Sequence, residues 1–345
     1  MLESVYRSVI LSSLFFIFCF IINSKLYGQD KISYDGYITM NARYEYNDKY
    51  AELFTRAKME IKLKLTQYIK AEIDIRGNSN DPEIELKEVH ALFKYYPNFF
   101  IKIGNIKKCF GIEELTAQEN LYTIEESQIN EYISPLGYVG RDPGVQVYRK
   151  YKDRGIPYSY YFVTSFNQSG IFTINGRVSY HNLLGSCCLG LDGIYQHSVS
   201  FAENEYPSNS YAMSIDLSRD IGSFYADLEA FLGMDPIETQ LSDYYGDDRD
   251  VLFLGAKWLL AYYYDINSTV VKGIEPLFLF GILSPDTRYI NANRIELLLG
   301  INIYFDEDMR LRLNGDLILA NNKYNIYDRT IAAGSKVLLE FQLKW

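Results

Sequence analysis

The chain has 345 residues and a formal net charge of −10, a balance that argues against nucleic acid as a partner. Three histidines leave little material for an imidazole-based metal or catalytic centre. Aromatic residues are 16% of the chain, with 32 Tyr and 20 Phe, and Tyr favours the boundary between lipid and water, where its ring is buried and its hydroxyl stays wet.

Arg7 precedes an apolar run from Val9 to Ile22, followed by a short polar stretch and Tyr27-Gly28-Gln29-Asp30. This layout predicts a secretory signal peptide over residues 1–28, cleaved after Gly28, and a single mature domain, 29–345. The run is shorter than the roughly 20 residues that span a bilayer, which disfavours a retained anchor. Cys19 lies inside the run and not at its end, so a lipid-attached N-terminus is not expected.

Beyond this segment the dominant signal is a two-residue alternation. In the first predicted strand, 32–46, Tyr34, Gly36, Ile38, Met40, Ala42 and Tyr44 oppose Asp35, Tyr37, Thr39, Asn41 and Arg43. In the second, Ala57, Met59, Ile61, Leu63 and Leu65 oppose Arg56, Lys58, Glu60, Lys62 and Lys64. The pattern recurs at 294–305, with Ile295, Leu297, Leu299, Ile301, Ile303 and Phe305 on one side. It recurs again at 309–319 and closes the chain with Val337, Leu339, Phe341, Leu343 and Trp345 opposite a mostly polar row. Successive side chains of a strand point to opposite faces, and an apolar row opposite a polar row is the wall of a membrane barrel.

Breaks between strands alternate in length. Short ones fall at 66–68, 96–98, 152–157, 181–185, 219–222, 265–267 and 306–308. Longer ones fall at 47–53, 77–85, 105–142, 201–209, 235–250, 284–292 and 321–329, with a short exception at 167–170. Short periplasmic turns and long external loops are expected of outer-membrane barrels. The fold class read from this pattern is all-β, a transmembrane antiparallel β-barrel of about sixteen strands in a bacterial outer membrane, with both chain ends in the periplasm. Unpaired backbone groups cannot face hydrocarbon, so the sheet must close, and a barrel of this width leaves an aqueous channel.

Cys109, Cys187 and Cys188 read as small packing residues; neighbours on one strand point apart, so Cys187 and Cys188 are poor disulfide partners. No CxxC or HxxxH spacing suggests a metal, and no cofactor is implied. An enzymatic barrel would need a nucleophile beside a base, and the hints are only His197-Ser198 and His181-Asn182, whose side chains diverge. The acidic stretch 243–250 reads as a solvated loop, with Ca²⁺ binding as the alternative, although it lacks the EF-hand order of ligands. Trp345, ending the last strand on its lipid face, looks like a recognition signal for the outer-membrane assembly machinery, or a simple interfacial anchor.

One stretch carries a family resemblance. Gly104-Asn105, Phe110-Gly111-Ile112-Glu113, Glu126-Ser127, Arg141-Asp142 and Gly144-Val145 resemble the motifs of the phosphate-selective porin O/P family over about sixty residues. The resemblance implies a sixteen-stranded homotrimeric porin with the 105–142 loop folded into the lumen. It further implies a passive channel for small anions such as phosphate. Cys109 stands where that family usually has Pro, and the acidic balance departs from an anion-selective pattern. A general or cation-preferring porin, or a structural or secretion-associated barrel, stays open beside it. The candidate channel-lining cations are Arg43, Arg56, Lys58, Lys62 and Lys64 on predicted lumen faces, with Lys102, Lys107 and Lys108 where the long loop begins. The alternative for the strand residues is pairing along the wall with Glu45, Glu60, Glu72 and Asp74.

Overall fold

The computed structural model describes residues 31–46, 49–80, 84–96, 98–151, 156–198, 209–244, 249–266, 268–289, 293–320 and 334–345. The expected signal segment 1–28, the expected loop 321–329 and residues 201–208 of another lie outside them. So do residues 245–248, which leaves part of the acidic stretch 243–250 undescribed.

Among the described residues the wall begins with β1 (Ile32–Glu45), β2 (Tyr50–Lys64), β3 (Ile69–Asn78), β4 (Ile84–Tyr96), β5 (Phe99–Lys107) and β6 (Arg141–Arg149). It continues through β7 (Tyr158–Phe166), β8 (Ile171–Leu183), β9 (Cys187–Ser198), β10 (Asn209–Ile221), β11 (Phe224–Met234) and β12 (Leu252–Tyr262). It finishes with β13 (Tyr264–Asp265), β14 (Gly273–Ser284), β15 (Arg294–Tyr304), β16 (Met309–Ala320) and β17 (Lys336–Lys344). Apart from β12 and β13, which both pair with β14, each strand pairs antiparallel with its chain neighbours, and β17 pairs back onto β1, so the sheet has no free edge. The two-residue β13 continues β12 along β14, which makes a closed antiparallel barrel of 16 strands.

The alternation explains the wall directly. In β1, Ile38, Met40 and Tyr44 are exposed on the outside, whereas Tyr37, Thr39 and Asn41 are buried inside. In β17, Val337, Leu339, Phe341 and Leu343 face out, while Leu338, Glu340 and Gln342 are at most 2% exposed. The molecule is therefore inverted relative to a water-soluble domain: Arg312 is 1% exposed and Leu299 is 66% exposed. That arrangement is stable only where the outer solvent is apolar.

The seam is closed by the last residue. Trp345 and Gly36 exchange backbone hydrogen bonds of 3.1 and 3.2 Å. A Cβ on Gly36 would sit 2.4 Å from both the Lys58 carbonyl oxygen and the indole of Trp345, so only glycine leaves room for that ring.

Three sequence boundaries need correction. The strands run further than the turn residues suggested: β2 starts at Tyr50, paired with Glu45, and the break expected at 77–85 shrinks because β3 reaches Asn78. Cross-strand pairing continues through polar residues whose side chains face the lumen. The long connection likewise spans 108–140 and not 105–142, since Lys107 pairs with Arg141 and Ile106 with Asp142 at the ends of β5 and β6.

Candidate functional site

The 108–140 segment turns into the barrel and packs against one side of it. It carries two short helices, α1 (Ile112–Leu115) and α2 (Gln128–Ile133). Phe110, Ile129, Tyr132, Ile133, Leu136, Tyr138 and Val139 from this segment form one apolar core with Ile194, Ala212, Phe231, Phe253 and Leu283 on the inner faces of β9 to β14. Ile237 of a further helix, α3 (Pro236–Tyr244), packs against the same core. Burying these side chains supplies the adhesive energy, at roughly 25 cal/mol per Å² of apolar surface.

Polar contacts then fix the register of the loop. Its extended middle is held by side chains that satisfy its backbone. Arg312 donates to the carbonyls of Leu121 and Thr123 at 3.0 and 2.7 Å, and Asn302 donates to that of Tyr122 at 3.0 Å. Asn314 accepts from the Ile124 amide at 2.7 Å. Beneath α1, Lys257 lies 3.1 Å from Glu113 and 3.2 Å from Glu229, and Glu229 accepts the Ile112 amide at 2.8 Å. Asp192, Asp216 and Glu229 approach closely enough to suggest an ion site. Arg177 is already within 2.5 and 2.7 Å of the two aspartates, and Lys257 takes Glu229, so protein cations balance them.

The loop leaves open space, a candidate passage, on the other side, against β2 to β6. Toward the long-loop end of the barrel a cavity of 440 Å³ lies between Arg56, Arg76, Lys87 and Arg141 on the wall and Glu114, Gln118 and Glu126 on the loop. Toward the short-turn end a cavity of 200 Å³ is lined by Lys58, Glu72, Glu88, His90, Lys102 and Lys107 among others. Arg76 and Arg141 border both.

Most wall cations here have a carboxylate beside them. Arg76 sits 2.9 Å from Asp74 and Arg141 2.8 Å from Glu88. Lys58 contacts Glu119 of the loop at 2.9 Å, Glu60 at 3.2 Å and Asp74 at 3.8 Å. Lys62 is 2.6 Å from Asp35, and Arg43 pairs with Glu125 of the loop. Arg56 stands 3.6 Å from that same Glu125 and over the Phe54 ring. On the loop, burial raises Glu114 to about 7, opposed by Lys107 and Arg141. At the short-turn end, burial and then Lys102, with smaller effects of Lys62 and Lys70, hold the Lys150 ammonium below the usual lysine value against the pull of Glu72. Those four ammonium groups therefore act on one another at this end, with Glu72 among them and Lys62 paired to Asp35 and Glu60.

The sequence candidates divide accordingly. Arg56, Lys58, Lys102 and Lys107 border the passage. Arg43 and Lys62 point inward but are engaged in ion pairs at its margins. Lys64 is exposed at the strand end. Lys108, expected to flank the passage with Lys107, is 4% exposed. Its ammonium donates to the Gly137 carbonyl at 2.6 Å and pairs with Asp142 at 2.8 Å, so it fastens the base of the loop. Sequence reasoning missed Arg76, Lys87 and Arg141. Asp74 pairs with Glu88 and Ile75 with Leu86, so Lys87 is an extra residue at a β-bulge, its carbonyl taken by the Asn105 side-chain amide at 2.7 Å. Arg76 was legible, because it continues the inner row of Glu72 and Asp74.

His181, which has no partner within its own strand, lies 2.8 Å from Ser159 on β7 and stacks on Tyr151. No carboxylate pairs with His181 among the described residues, so the couple lacks the orienting acid of a hydrolase triad. Cys109, Cys187 and Cys188 are free thiols.

No family model matches the chain, and no curated protein does. Solved structures share its fold. The anion-selective porin from Comamonas acidovorans is 10% identical, with a TM-score of 0.64 over 91% of this chain and 99% of that one. OmpF of Salmonella typhi, in complex with daunomycin, is 10% identical, with a TM-score of 0.64 over 91% and 97%. OmpT, an outer membrane protein of Vibrio cholerae in its trimer form, is 8% identical, with a TM-score of 0.62 over 92% and 100%. The architecture is thus that of sixteen-stranded porin barrels.

Proposed function

We propose that this protein is an outer-membrane channel for passive diffusion of small polar solutes. On this reading residues 1–28 are removed on export, the mature chain assembles as a homotrimer in outer-membrane lipid, and Trp345 serves the assembly machinery. The observation that carries it is the polar passage between the lumen loop and β2 to β6, inside a closed barrel whose outer face is apolar. The Comamonas porin and the trimeric Vibrio protein support it by their shared fold. On this reading the protein is a channel and not an enzyme, without a cofactor.

A preference for small anions, phosphate among them, follows from the short-turn end. Lys62, Lys70 and Lys102 act electrostatically on Lys150 there, with Glu72 among them and Lys62 paired to Asp35. In a narrow lumen with low-dielectric walls such a cluster concentrates anions. The ion pairs higher in the passage keep that preference modest. Purified protein in a planar bilayer under a salt gradient is expected to show a reversal potential on the anion side. Lys102→Glu with Lys150→Glu should move it toward or past zero. A wild-type pore that prefers cations would leave the channel standing and remove the anion preference, while a bilayer without conductance would remove the channel.

A further inference from the structure

We propose that His90 and Glu72 form a binding site for a divalent transition-metal ion, copper(II) first, whose occupancy obstructs the passage. The binding stands on the geometry of the wall alone; the obstruction rests on the channel reading above.

Glu72 on β3 and His90 on β4 are directly opposed across the sheet, and both line the cavity of 200 Å³. Nε2 of His90 lies 3.0 Å from Oε2 of Glu72. The imidazole is 1% exposed, yet neither ring nitrogen makes a hydrogen bond among the described residues, so the contact is close without being aligned for an N–H donor. A buried polar group left in that state calls for another partner. At the other ring nitrogen, Nδ1 lies 3.8 Å from Glu88, which Arg141 holds at 2.8 Å. The backbone fixes the ring in place. Gly104 on β5 opposes His90, and a Cβ there would come within 2.7 Å of the His90 Cα and 2.1 Å of the Val89 carbonyl oxygen.

An imidazole nitrogen beside a carboxylate oxygen suits divalent first-row ions, and affinity along that series peaks at copper(II). The spacing selects further. Two ligands, each roughly 2.1 Å from an ion, stand roughly 3.0 Å apart at a right angle and roughly 3.4 Å apart at a tetrahedral one. The observed 3.0 Å fits the square arrangement of copper(II) or nickel(II) better than that of tetrahedral zinc. The remaining positions fall to water. Glu88 beside Nδ1 is placed to orient the ring, as carboxylates do behind metal-bound histidines. Neighbouring charges set the strength. Arg141 is paired with Glu88, Arg76 with Asp74, Lys58 with Glu119, Glu60 and Asp74, and Lys62 with Asp35 and Glu60. Lys102 acts on Glu72, and Lys107 lines the same cavity, so both oppose an incoming ion. The ion is therefore an exchangeable ligand and not a resident cofactor. One histidine and one glutamate on adjacent strands leave no spacing motif in the sequence.

The test is a copper(II) titration of tag-free protein in detergent at pH 7, followed by electron paramagnetic resonance. A Cys188→Ser background keeps that thiol from reducing the ion. A tetragonal spectrum with splitting from one nitrogen is expected. His90→Gln should lose it and His181→Gln should keep it. Glu72→Gln should weaken binding about tenfold or more, at least what loss of an outer-shell partner costs. Heat-modifiable migration reports that each barrel has closed; should His90→Gln fail to close, Glu72→Gln decides. No such spectrum, one that survives His90→Gln or is lost in His181→Gln, or an affinity unchanged in Glu72→Gln would overturn the site. In a planar bilayer the same ion should reduce the single-channel current, and His90→Gln should remove the effect. Binding without a change in current would overturn the obstruction, while a bilayer without current before copper is added would overturn the channel reading and leave the spectrum to judge the site.

Discussion

Deleting residues 113–135 and joining the ends with a short Gly-Ser linker is expected to raise single-channel conductance about threefold, because a sixteen-strand barrel without a filling is a wide aqueous pore. The wall does not depend on the loop for its hydrogen bonds, since every strand pairs with its neighbours and β17 closes on β1. The loop contributes the apolar core on the β9 to β14 side and the far wall of the passage. Its removal leaves Phe231, Phe253 and Leu283 facing water, which costs stability, but leaves the charged groups solvated. Heat-modifiable migration on a gel would report that the barrel still closes. A closed barrel with unchanged conductance would mean that the loop does not set the pore size.

Lys257→Met is expected to be the most destabilising single substitution in the lumen, by about 3–5 kcal/mol, because it strands buried carboxylates without a counter-charge. Lys257 is 3% exposed, and Glu229, one of its two partners, is 0% exposed. Adding Glu113→Gln and Glu229→Gln to that variant should recover most of the loss, since replacing a whole buried ion cluster by neutral groups is far less costly than breaking it. The measurement is the thermal unfolding midpoint in detergent for all three proteins. Equal midpoints for the wild type and Lys257→Met would show that the cluster is solvated.

Much of the wall was legible from side-chain alternation alone. In β1, β2, β15, β16 and β17 the apolar row faces out and the polar row faces in, as the residues say one by one. The inward position of the long loop came only from the family resemblance. Where the loop would settle was also written in the chain, less plainly. The inner row of β12 reads Phe253, Gly255, Lys257, Leu259 and Ala261, and those of β9 to β14 add Ile194, Ala212, Phe231 and Leu283. Apolar residues on a lumen face have no aqueous use; they mark where something packs. Two features resisted reading. The β-bulge that sets Lys87 beside the passage depends on a one-residue register shift, and alternation is blind to such a shift. Lys108 and Lys107 are adjacent and chemically alike, yet one fastens the loop and the other borders the passage. The difference arises because Lys108 leaves the strand and turns under Gly137, a tertiary contact that no local pattern encodes.

Solutes are expected to pass on the β2 to β6 side of the loop and not on the side of its core. Introduced cysteines test it most directly, in a background carrying Cys188→Ser. Arg56→Cys and Gln118→Cys place a thiol on either wall of the passage, and Ser214→Cys places one on β10, at a site that is 2% exposed and lies beside Asp192. Current through single channels is recorded before and after a charged methanethiosulfonate reagent. Stepwise block is expected for Arg56→Cys and Gln118→Cys, with no change for Ser214→Cys. Block at Ser214→Cys with none at the other two would place the pathway on the opposite side of the loop and contradict the account.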